Sequence, residues 1–319
     1  MYKIGIDLGG TNIKAGIVDA SYCIKDEASV KTLAHRPYME VIDDMAKLVL
    51  SLIQKNNISM DDIEGVGIGS PGLIDAANGI VAYSNNFNWE NVPLCKELEN
   101  RLQKRTAISN DANCAALGEQ KAGAAKACKN VIMITLGTGV GGGIIINGRI
   151  FEGGHAGGAE LGHTALIVNG EPCTCGRKGC IEAYVSATAL IRDTKRAAAA
   201  NPSSIIHNLC NGNLDNINGK TVFDAALQND PTALKVKENY ISYLGEAICD
   251  YVNVFRPDVV LLSGGVCNQG TALTEPLNKY IKSRCFGTDK AFIPPVKIAT
   301  LGNHAGTIGA AALLENAHR

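Results

Sequence analysis

The sequence has almost no net charge and few aromatic residues. Its 30 Lys and Arg residues nearly balance 31 Asp and Glu residues, which leaves a formal charge of −1, and only 5% of the residues are aromatic. Such a balance lacks the basic surface that attracts nucleic acids or anionic membranes. Apolar runs are interrupted by Gly, Asp or Lys well short of the roughly 20 residues of a membrane-spanning helix. We therefore expect neither a nucleic acid nor a membrane as partner.

The sequence also shows neither the pattern of a secretory leader nor that of a disulfide framework. Met1 leads directly into a strand-like run over residues 3–6, without the apolar segment of a signal peptide. The eleven cysteines are an odd number, which favours free and metal-bound thiols in a reducing compartment. We therefore expect a cytoplasmic protein. A chain of 319 residues exceeds the size at which one core stops growing, so two domains are expected.

Glycine, by contrast, is abundant, and glycine-rich turns separate the apolar runs of a repeated strand–turn–strand pattern. Residues 3–18 form two short apolar runs around a glycine turn, and residues 131–148 repeat this arrangement around Gly137 to Gly143. Further strands are predicted over 24–30, 66–69, 106–109, 259–263 and 296–299. Helical spacing and caps predict helices over 41–55, 94–102, 112–122, 187–199, 232–254, 273–285 and 305–316. The segment 70–89 is polar and turn-rich, and we interpret residues 208–220 and 287–290 as surface loops.

Three glycine turns follow apolar strands and are candidates for phosphate binding. Backbone amides in such turns bind phosphate oxygens, and a carboxylate at the strand end can hold Mg²⁺, usually through water. One turn alone would be interpreted as an ordinary hairpin, but three in matching contexts favour a nucleotide site. Lys14 is either a phosphate contact or a solvated strand residue. The residues are Asp7, Gly9, Gly10, Thr11 and Lys14, then Gly137, Thr138 and Gly139, and finally Gly264 and Gly265.

One local segment carries four potential metal ligands, namely His163, Cys173, Cys175 and Cys180. A Cys₃His set is typical of structural zinc, and intervening glycines allow a short loop to fold around the ion. A redox pair or buried apolar cysteines are the alternatives. The set leaves no open coordination position, so the zinc is expected to be structural. His155 is a second candidate ligand, although loop polarity explains it as well.

Carboxylates flank this metal loop. Glu160 and Glu182 would be held in fixed positions and could bind the hydroxyls of a polyol.

Elsewhere, Asn110 and Asp111 lie between a predicted strand and a predicted helix. They are either a helix cap or a catalytic carboxylate site at a strand end. Asp111 is the better placed of the two for catalysis. Neither a Walker A loop nor the HRD and DFG motifs of protein kinases occur.

Together these segments resemble the ROK family of repressors, open reading frames and sugar kinases, and particularly its bacterial glucokinases. The resemblance rests on DLGGTNIKAG, SPG, NDANCAALGE, LGTGVGGG, ELGH and CTCGRKGCIE. It implies an α/β, two-domain fold of the actin/hexokinase/Hsp70 ATPase type, which is ribonuclease H-like, with an interdomain cleft. The small domain would comprise residues 1–118 with 305–319, and the large domain 119–304.

The resemblance also implies roles for individual residues. Asp111 would be the catalytic base. The sugar hydroxyls would be bound by Asn86, Asn110, Asp111, Glu160, His163 and Glu182, and ATP with Mg²⁺ by the glycine turns. His163 can serve both zinc and a hydroxyl because imidazole has two nitrogens. The implied reaction is phosphorylation of a hexose 6-hydroxyl by ATP, with glucose favoured, in a homodimer or a dimer of dimers.

Other functions remain open at this point. Kinases for mannose, allose, fructose or N-acetylmannosamine share these motifs, because they differ in hydroxyl geometry. The family also contains sugar-responsive repressors, which resemble this chain preceded by a DNA-binding helix-turn-helix module. Here the first strand follows Met1 almost at once, so such a module is not expected. A chaperone-type or filament-type ATPase would explain the glycine turns but not the zinc loop.

Overall fold

The computed structural model describes residues 1–154, 157–287 and 290–315. It is a mixed α/β structure. The strands are β1 (Tyr2–Leu8), β2 (Asn12–Val18), β3 (Ile24–Lys31), β4 (Ile63–Ser70), β5 (Leu73–Asp75), β6 (Ile80–Ser84), β7 (Trp89–Val92), β8 (Thr106–Asn110), β9 (Val131–Leu136), β10 (Val140–Ile146), β11 (Arg149–Ile150), β12 (Val259–Ser263) and β13 (Val296–Ile298). The helices are α1 (Tyr38–Lys55), α2 (Leu94–Leu102), α3 (Asp111–Ala122), α4 (Glu182–Val185), α5 (Ala187–Ala200), α6 (Ile206–Leu209), α7 (Thr221–Leu227), α8 (Pro231–Phe255), α9 (Thr271–Arg284) and α10 (Ala305–Ala312).

The strands form two five-stranded sheets and one small sheet. The first sheet has the order β3-β2-β1-β4-β8, and the second has the order β11-β10-β9-β12-β13. In the first sheet β1, β2 and β3 are antiparallel, whereas β4 and β8 run parallel to β1. The two orders have the same pattern, with a strand–turn–strand unit beside later strands of the chain. The repeat predicted from the two glycine turns therefore corresponds to two similarly ordered sheets.

The chain divides into two compact units. Unit 1 consists of Met1–Val131, Gly143–Ala159 and Ala299–Arg319, and unit 2 consists of Ile132–Gly142 and Glu160–Ile298. The domain boundaries expected from the sequence stay a prediction.

Within unit 1, α1 shows how the hydrophobic pattern produces a packed helix. Its buried residues recur at helical spacing and include Val41, Met45, Val49 and Leu52. These residues belong to the apolar core that also contains the buried faces of β1 and β2. Each fully buried aliphatic side chain of this kind contributes about 1.5–3 kcal/mol. Sequence periodicity therefore places α1 correctly, including its end at Lys55.

In unit 2 the longest helix, α8, begins and ends at recognisable signals. Asp230 caps its first turn by accepting a hydrogen bond from the Ala233 N–H group, and Pro231 occupies the first helical position. The helix ends at Phe255, and the next residue, Arg256, has a φ of 42° in the left-handed region. The prediction over 232–254 agrees with this helix to within one residue at each end.

The C-terminal helix α10 lies unusually close to the first sheet. A Cβ atom added at Gly67 of β4 would overlap the Ala310 carbonyl group, and one at Gly309 would overlap the Cys114 carbonyl group of α3. Only glycine permits such an approach between backbones. Every residue of α10 except Gly306 is buried, as expected for a helix that is apolar on all sides. This packing fixes α10 between β4 and α3 in unit 1.

Several short elements were not predicted from the sequence. The polar, turn-rich stretch 70–89 contains β5 and β6 and leads into β7, and these three strands form an antiparallel sheet. Helix α7, just after the predicted loop 208–220, was not predicted either. In both places the elements are short and are surrounded by turn-forming residues. Their hydrophobic periodicity was therefore too weak to predict a strand or a helix from the sequence. The final helix ends at Ala312 and continues as a 3₁₀ turn to Glu315, while Asn316 lies outside the described residues.

The close approach at Gly309 predicts a large cost for one methyl group. We expect Gly309→Ala to lower the free energy of unfolding by about 2 kcal/mol or more, because backbone must move apart to admit the side chain. Gly154→Ala is the matched control, since its added Cβ meets no atom within 4 Å. Urea unfolding of both variants measures the difference. Equal stability of the two variants would contradict the tight packing of α10.

Candidate active site

The first glycine turn joins β1 and β2 and is held by hydrogen bonds. The Gly9 N–H group donates to the Asn12 carbonyl oxygen at 3.0 Å. Thr32 braces the turn from the side, because its hydroxyl donates to the Gly9 carbonyl at 2.6 Å and its N–H group donates to the Thr11 carbonyl at 3.0 Å. Gly10 and Thr11 remain exposed at the tip. A braced turn with an exposed backbone is suited to bind phosphate oxygens.

Unit 1 contains two largely buried carboxylates, Asp7 and Asp111, and the charge of Asp111 acts on Asp7. Asp7 lies near the end of β1, and Asp111 is the first residue of α3. Burial raises the pKa of Asp7, the charge of Asp111 raises it further, and Lys14 acts in the opposite direction. Burial also raises the pKa of Asp111, against the lowering effect of the Ala112 N–H group. Two partly buried acids near one lysine form a site with excess negative charge.

Asn110 both caps α3 and reaches the neighbouring loop. Its side-chain oxygen accepts hydrogen bonds from the N–H groups of Ala112 at 2.9 Å and Asn113 at 3.4 Å. Its side-chain amide donates to the Gly72 carbonyl at 3.3 Å. The cap interpretation of Asn110 is therefore confirmed. Capping leaves Asp111 on the first turn of the helix, where the helix dipole favours a negative charge.

Other residues of unit 1 complete this region. The side chain of Asn86 lies beside the first glycine turn, with its amide nitrogen 3.8 Å from the Cβ position of Gly10. Ser109, which precedes Asn110, donates from its hydroxyl to the Glu152 carboxylate at 2.7 Å. The sequence analysis missed this contact, because the two residues are 43 positions apart and neither belongs to a recognisable motif.

The second glycine turn, in unit 2, joins β9 and β10. The Gly137 N–H group donates to the Gly139 carbonyl at 3.0 Å. The start of α5 holds the turn, because the Ala187 N–H group donates to the Gly137 carbonyl and the Thr188 hydroxyl donates to the Thr138 carbonyl, both at 2.8 Å. The turn comprises only residues 137–139 and is shorter than the predicted segment from Gly137 to Gly143, because β10 already begins at Val140.

The third glycine pair lies next to this turn. Gly264 follows β12 with a φ of 94°, and a Cβ atom there would overlap the carbonyl group of Leu136, the residue before Gly137. A side chain is therefore excluded for two reasons, conformation and space. Gly265 begins a 3₁₀ turn with open space around it. The structure thus places Gly264 against Leu136, which precedes the second glycine turn, while phosphate binding by Gly264 and Gly265 stays a prediction.

The four predicted metal ligands form one cluster. The ligand atoms of His163, Cys173, Cys175 and Cys180 all lie within 4.8 Å of one another. The Cys173 sulfur is 3.6 Å from His163 Nδ1, and the sulfurs of Cys175 and Cys180 are 3.6 Å apart. Around tetrahedral Zn²⁺, bond lengths near 2.3 Å for sulfur and 2.0 Å for nitrogen place ligand atoms about 3.5–3.8 Å apart. The cluster therefore fits zinc.

The backbone of the metal loop is tightly folded. The Cys173 N–H group donates to the Arg177 carbonyl at 2.9 Å, and the Arg177 guanidinium donates to the His163 carbonyl at 3.0 Å. Gly179 adopts a φ of 83°, and a side chain there would overlap the Ile167 carbonyl. All eleven cysteines are free thiols, and Cys114, Cys249 and Cys267 are buried, consistent with the packing role expected for them.

Glu182 begins α4 directly after the metal loop. Its Oε1 accepts a hydrogen bond from the Thr174 hydroxyl at 2.8 Å, and its Oε2 accepts one from the Val140 N–H group at 3.0 Å. Burial acts to raise the pKa of Glu182, but these hydrogen bonds, together with the Cys173 thiol and the His163 charge, lower it overall. Glu182 is therefore held as a carboxylate. Glu160 is exposed, and His155 lies outside the described residues.

A separate cavity of about 680 Å³ lies between α5 and α8. None of the predicted site residues lines it. Its arginines, Arg192 and Arg196, are neutralised by Glu171 and Asp193. This cavity lies apart from the predicted site residues, so side-chain chemistry is a better guide to the candidate site than the presence of a cavity.

None of the helices in the described chain has both the length and the apolar composition that a membrane crossing requires.

Comparison with known proteins gives a consistent result over the whole chain. The ROK family model matches residues 3–317. The chain is 37% identical to the glucokinase of Thermotoga maritima over 317 residues, which cover 98% of this chain and 96% of that protein. A ROK family glucokinase from Streptomyces griseus, solved in complex with glucose and AMPPNP, has a TM-score of 0.78 at 34% identity and covers 99% of this chain and 100% of its own. A ROK hexokinase from Thermus thermophilus has a TM-score of 0.78 at 30% identity, with 98% and 97% coverage.

The two similarly ordered sheets, the glycine turns at their strand ends and these structural matches define an actin/hexokinase-like ATPase fold. Within that class, the chain belongs to the ROK family. The fold class and the family predicted from the sequence motifs are both confirmed.

Proposed function

We propose that the protein transfers the γ-phosphoryl group of ATP to the 6-hydroxyl of glucose. The observation that carries this proposal is the nearly complete coverage of glucokinases at 34–37% identity, over a chain that has Asp111 at the start of α3. The S. griseus glucokinase was solved with glucose and an ATP analogue, which supports the same pair of substrates here. A hexose kinase is the function that best accounts for both the glycine turns and the metal loop.

Asp111 is proposed as the general base. Its pKa is raised by burial, so the ionised carboxylate is a better proton acceptor than an exposed aspartate. It would accept the proton of the 6-hydroxyl while the hydroxyl oxygen attacks the γ-phosphorus and the bond to ADP breaks. Asn110 keeps Asp111 in place by capping α3. The base contributes about 10²–10⁴ to the rate, and positioning of the substrates contributes most of the rest.

The remaining predicted residues divide between the sugar and the nucleotide. We propose that Asn86, Asn110, Glu160, His163 and Glu182 bind sugar hydroxyls. His163 directs Nδ1 toward Cys173, which leaves Nε2 for a hydroxyl. The glycine turns, with Thr11, Lys14 and Thr138, would bind the phosphates of ATP.

The acidic pair in unit 1 suits a divalent cation. Asp7 and Asp111 are both partly buried, and Lys14 is the cation that acts on Asp7. We propose that Asp7 holds Mg²⁺, which neutralises the phosphate charge when it is bound. Zinc in the Cys₃His cluster would be structural, because all four positions are occupied by protein atoms. A cytoplasmic homodimer or dimer of dimers is also proposed, by family resemblance.

A hexose panel tests the substrate. In a coupled ADP-release assay with ATP and Mg²⁺, we expect kcat/KM for glucose to exceed that for mannose, allose, fructose and N-acetylmannosamine by about tenfold or more, because a site built to bind particular hydroxyls rejects sugars that place them differently. ATP consumption without sugar is the control. Faster turnover of another hexose would overturn the assignment to glucose, and no sugar-stimulated ADP release would overturn the kinase itself.

The base assignment predicts a loss of turnover with little loss of structure. Asp111→Asn keeps the side-chain oxygen that accepts the Ala112 N–H bond at 2.9 Å, so the helix start should survive. We expect kcat to fall by about 10²–10⁴ while glucose affinity changes less than about threefold. Asp61→Asn, at an exposed acid, is the matched control. Near-normal turnover in Asp111→Asn would exclude Asp111 as the base.

The raised pKa of Asp111 also predicts the pH dependence. The base must be ionised, so kcat/KM should fall as pH drops through its pKa, which lies above the usual aspartate value of 3.8. The acid limb should be missing from the residual activity of Asp111→Asn. An acid limb that persists unchanged in this variant would assign the titration to another group.

Zinc content tests the metal loop. We expect about one zinc per chain in protein purified without added metal, and Cys175→Ser should lose most of it and melt roughly 5 °C or more lower. Cys23→Ser is the matched control, because Cys23 is an exposed thiol outside the cluster. Folded, active wild-type protein with less than about a tenth of an equivalent of zinc would contradict the assignment.

A further inference from the structure

The Glu182 carboxylate joins two elements that the sequence analysis treated separately. On one side, Oε1 accepts the Thr174 hydroxyl at 2.8 Å and lies 3.5 Å from the Cys173 sulfur, both in the metal loop. On the other side, Oε2 accepts the Val140 N–H group at 3.0 Å. All these residues lie in unit 2. One side chain thus hydrogen-bonds the metal loop with one oxygen and the second glycine turn with the other.

The contact with the glycine turn is close. Val140 is the first residue of β10 and directly follows Gly139. A Cβ atom added at Gly139 would overlap Glu182 Oε2, so the carboxylate lies directly against the backbone of the turn. Hydrogen bonds to an ionised acceptor are stronger than those between neutral groups, and this one fixes the backbone on the β10 side of the turn. The position of the turn therefore depends on where Glu182 is held.

The metal loop determines where Thr174 lies. Thr174 stands between two ligands, Cys173 and Cys175, so coordination at both neighbours fixes its backbone. Without metal, the loop would keep backbone hydrogen bonds such as that from the Cys173 N–H group to the Arg177 carbonyl, but it would lose the coordination bonds on both sides of Thr174, which would then be less restrained. Its hydroxyl could then leave Glu182, which would lose a partner on the metal side.

We propose that Thr174 and Glu182 form a positioning relay, through which occupancy of the zinc site sets the affinity of the second glycine turn for nucleotide. This inference rests on the proposed nucleotide-binding role of Gly137, Thr138 and Gly139. Coupling of two binding sites is reciprocal, so bound nucleotide must also retain zinc more firmly. Zinc in this protein then does more than stabilise a loop.

The chain offers a matched control for the relay. Thr188 also supports the second glycine turn, since its hydroxyl donates to the Thr138 carbonyl at 2.8 Å, but it belongs to α5 and not to the metal loop. Thr174→Val and Thr188→Val each remove one hydroxyl at nearly constant volume. Only the first should change the coupling to zinc.

The test measures binding of AMPPNP with Mg²⁺ by calorimetry, without sugar, in zinc-loaded and chelator-treated protein. In the wild type, zinc removal should weaken AMPPNP binding by about 5- to 20-fold. In Thr174→Val, binding should already be weaker with zinc present, and the zinc effect should fall below about twofold. In Thr188→Val, binding should weaken while the wild-type zinc effect persists.

A second measurement follows zinc itself. The rate at which a chromogenic chelator extracts zinc should drop several-fold when AMPPNP is bound to the wild type and to Thr188→Val, but not to Thr174→Val. This readout needs no stable zinc-free protein. Equal zinc effects in wild type and Thr174→Val, or extraction rates that ignore AMPPNP, would overturn the relay while leaving glucose phosphorylation intact. Absence of AMPPNP binding altogether would instead overturn the proposed function on which the relay rests.

Discussion

Contact between backbones, with no side chain between them, determines the architecture of unit 1. Gly5 and Gly67 on adjacent strands allow α10 to lie against the sheet, and Gly309 allows α3 to lie against α10. A helix held so closely has little freedom to shift along the sheet. This packing positions the end of β1 with Asp7 and the start of α3 with Asp111, the two carboxylates proposed for Mg²⁺ binding and catalysis. The positions of Asp7 and Asp111 therefore depend on glycines at contacts where no side chain would fit.

Unit 2 differs, because polar contacts connect its cluster of potential metal ligands with the strand that follows the second glycine turn. The Cys₃His loop has few apolar side chains to hold it, and Cys175 and Glu160 are exposed. In the proposed zinc-bound state, coordination bonds would order this short loop. Glu182 connects the loop to the start of β10, because it accepts one hydrogen bond from Thr174 and one from Val140.

The sequence predicted those features that are encoded locally. The paired strands around each glycine turn, helices α1, α2 and α8, and the four-ligand cluster all depend on spacing within short segments, and all are found. The sheet of β5, β6 and β7 was missed, since its strands have only three to five residues and stand among turn formers. Contacts such as Ser109 with Glu152, or Val140 with Glu182, could not be predicted, because they depend on how distant segments meet and on a backbone donor that has no sequence signature.

If Asn110 binds the sugar as proposed, its contacts within the protein restrict how substrate preference could change. Its oxygen caps α3 and one amide hydrogen is donated to the Gly72 carbonyl, which leaves the second amide hydrogen for a sugar hydroxyl. A replacement chosen to accommodate a different sugar would at the same time fray the helix that carries Asp111. Within the proposed sugar site, a replacement at Asn86 would disturb the structure less, because Asn86 lies in the turn after β6 and caps none of the described helices.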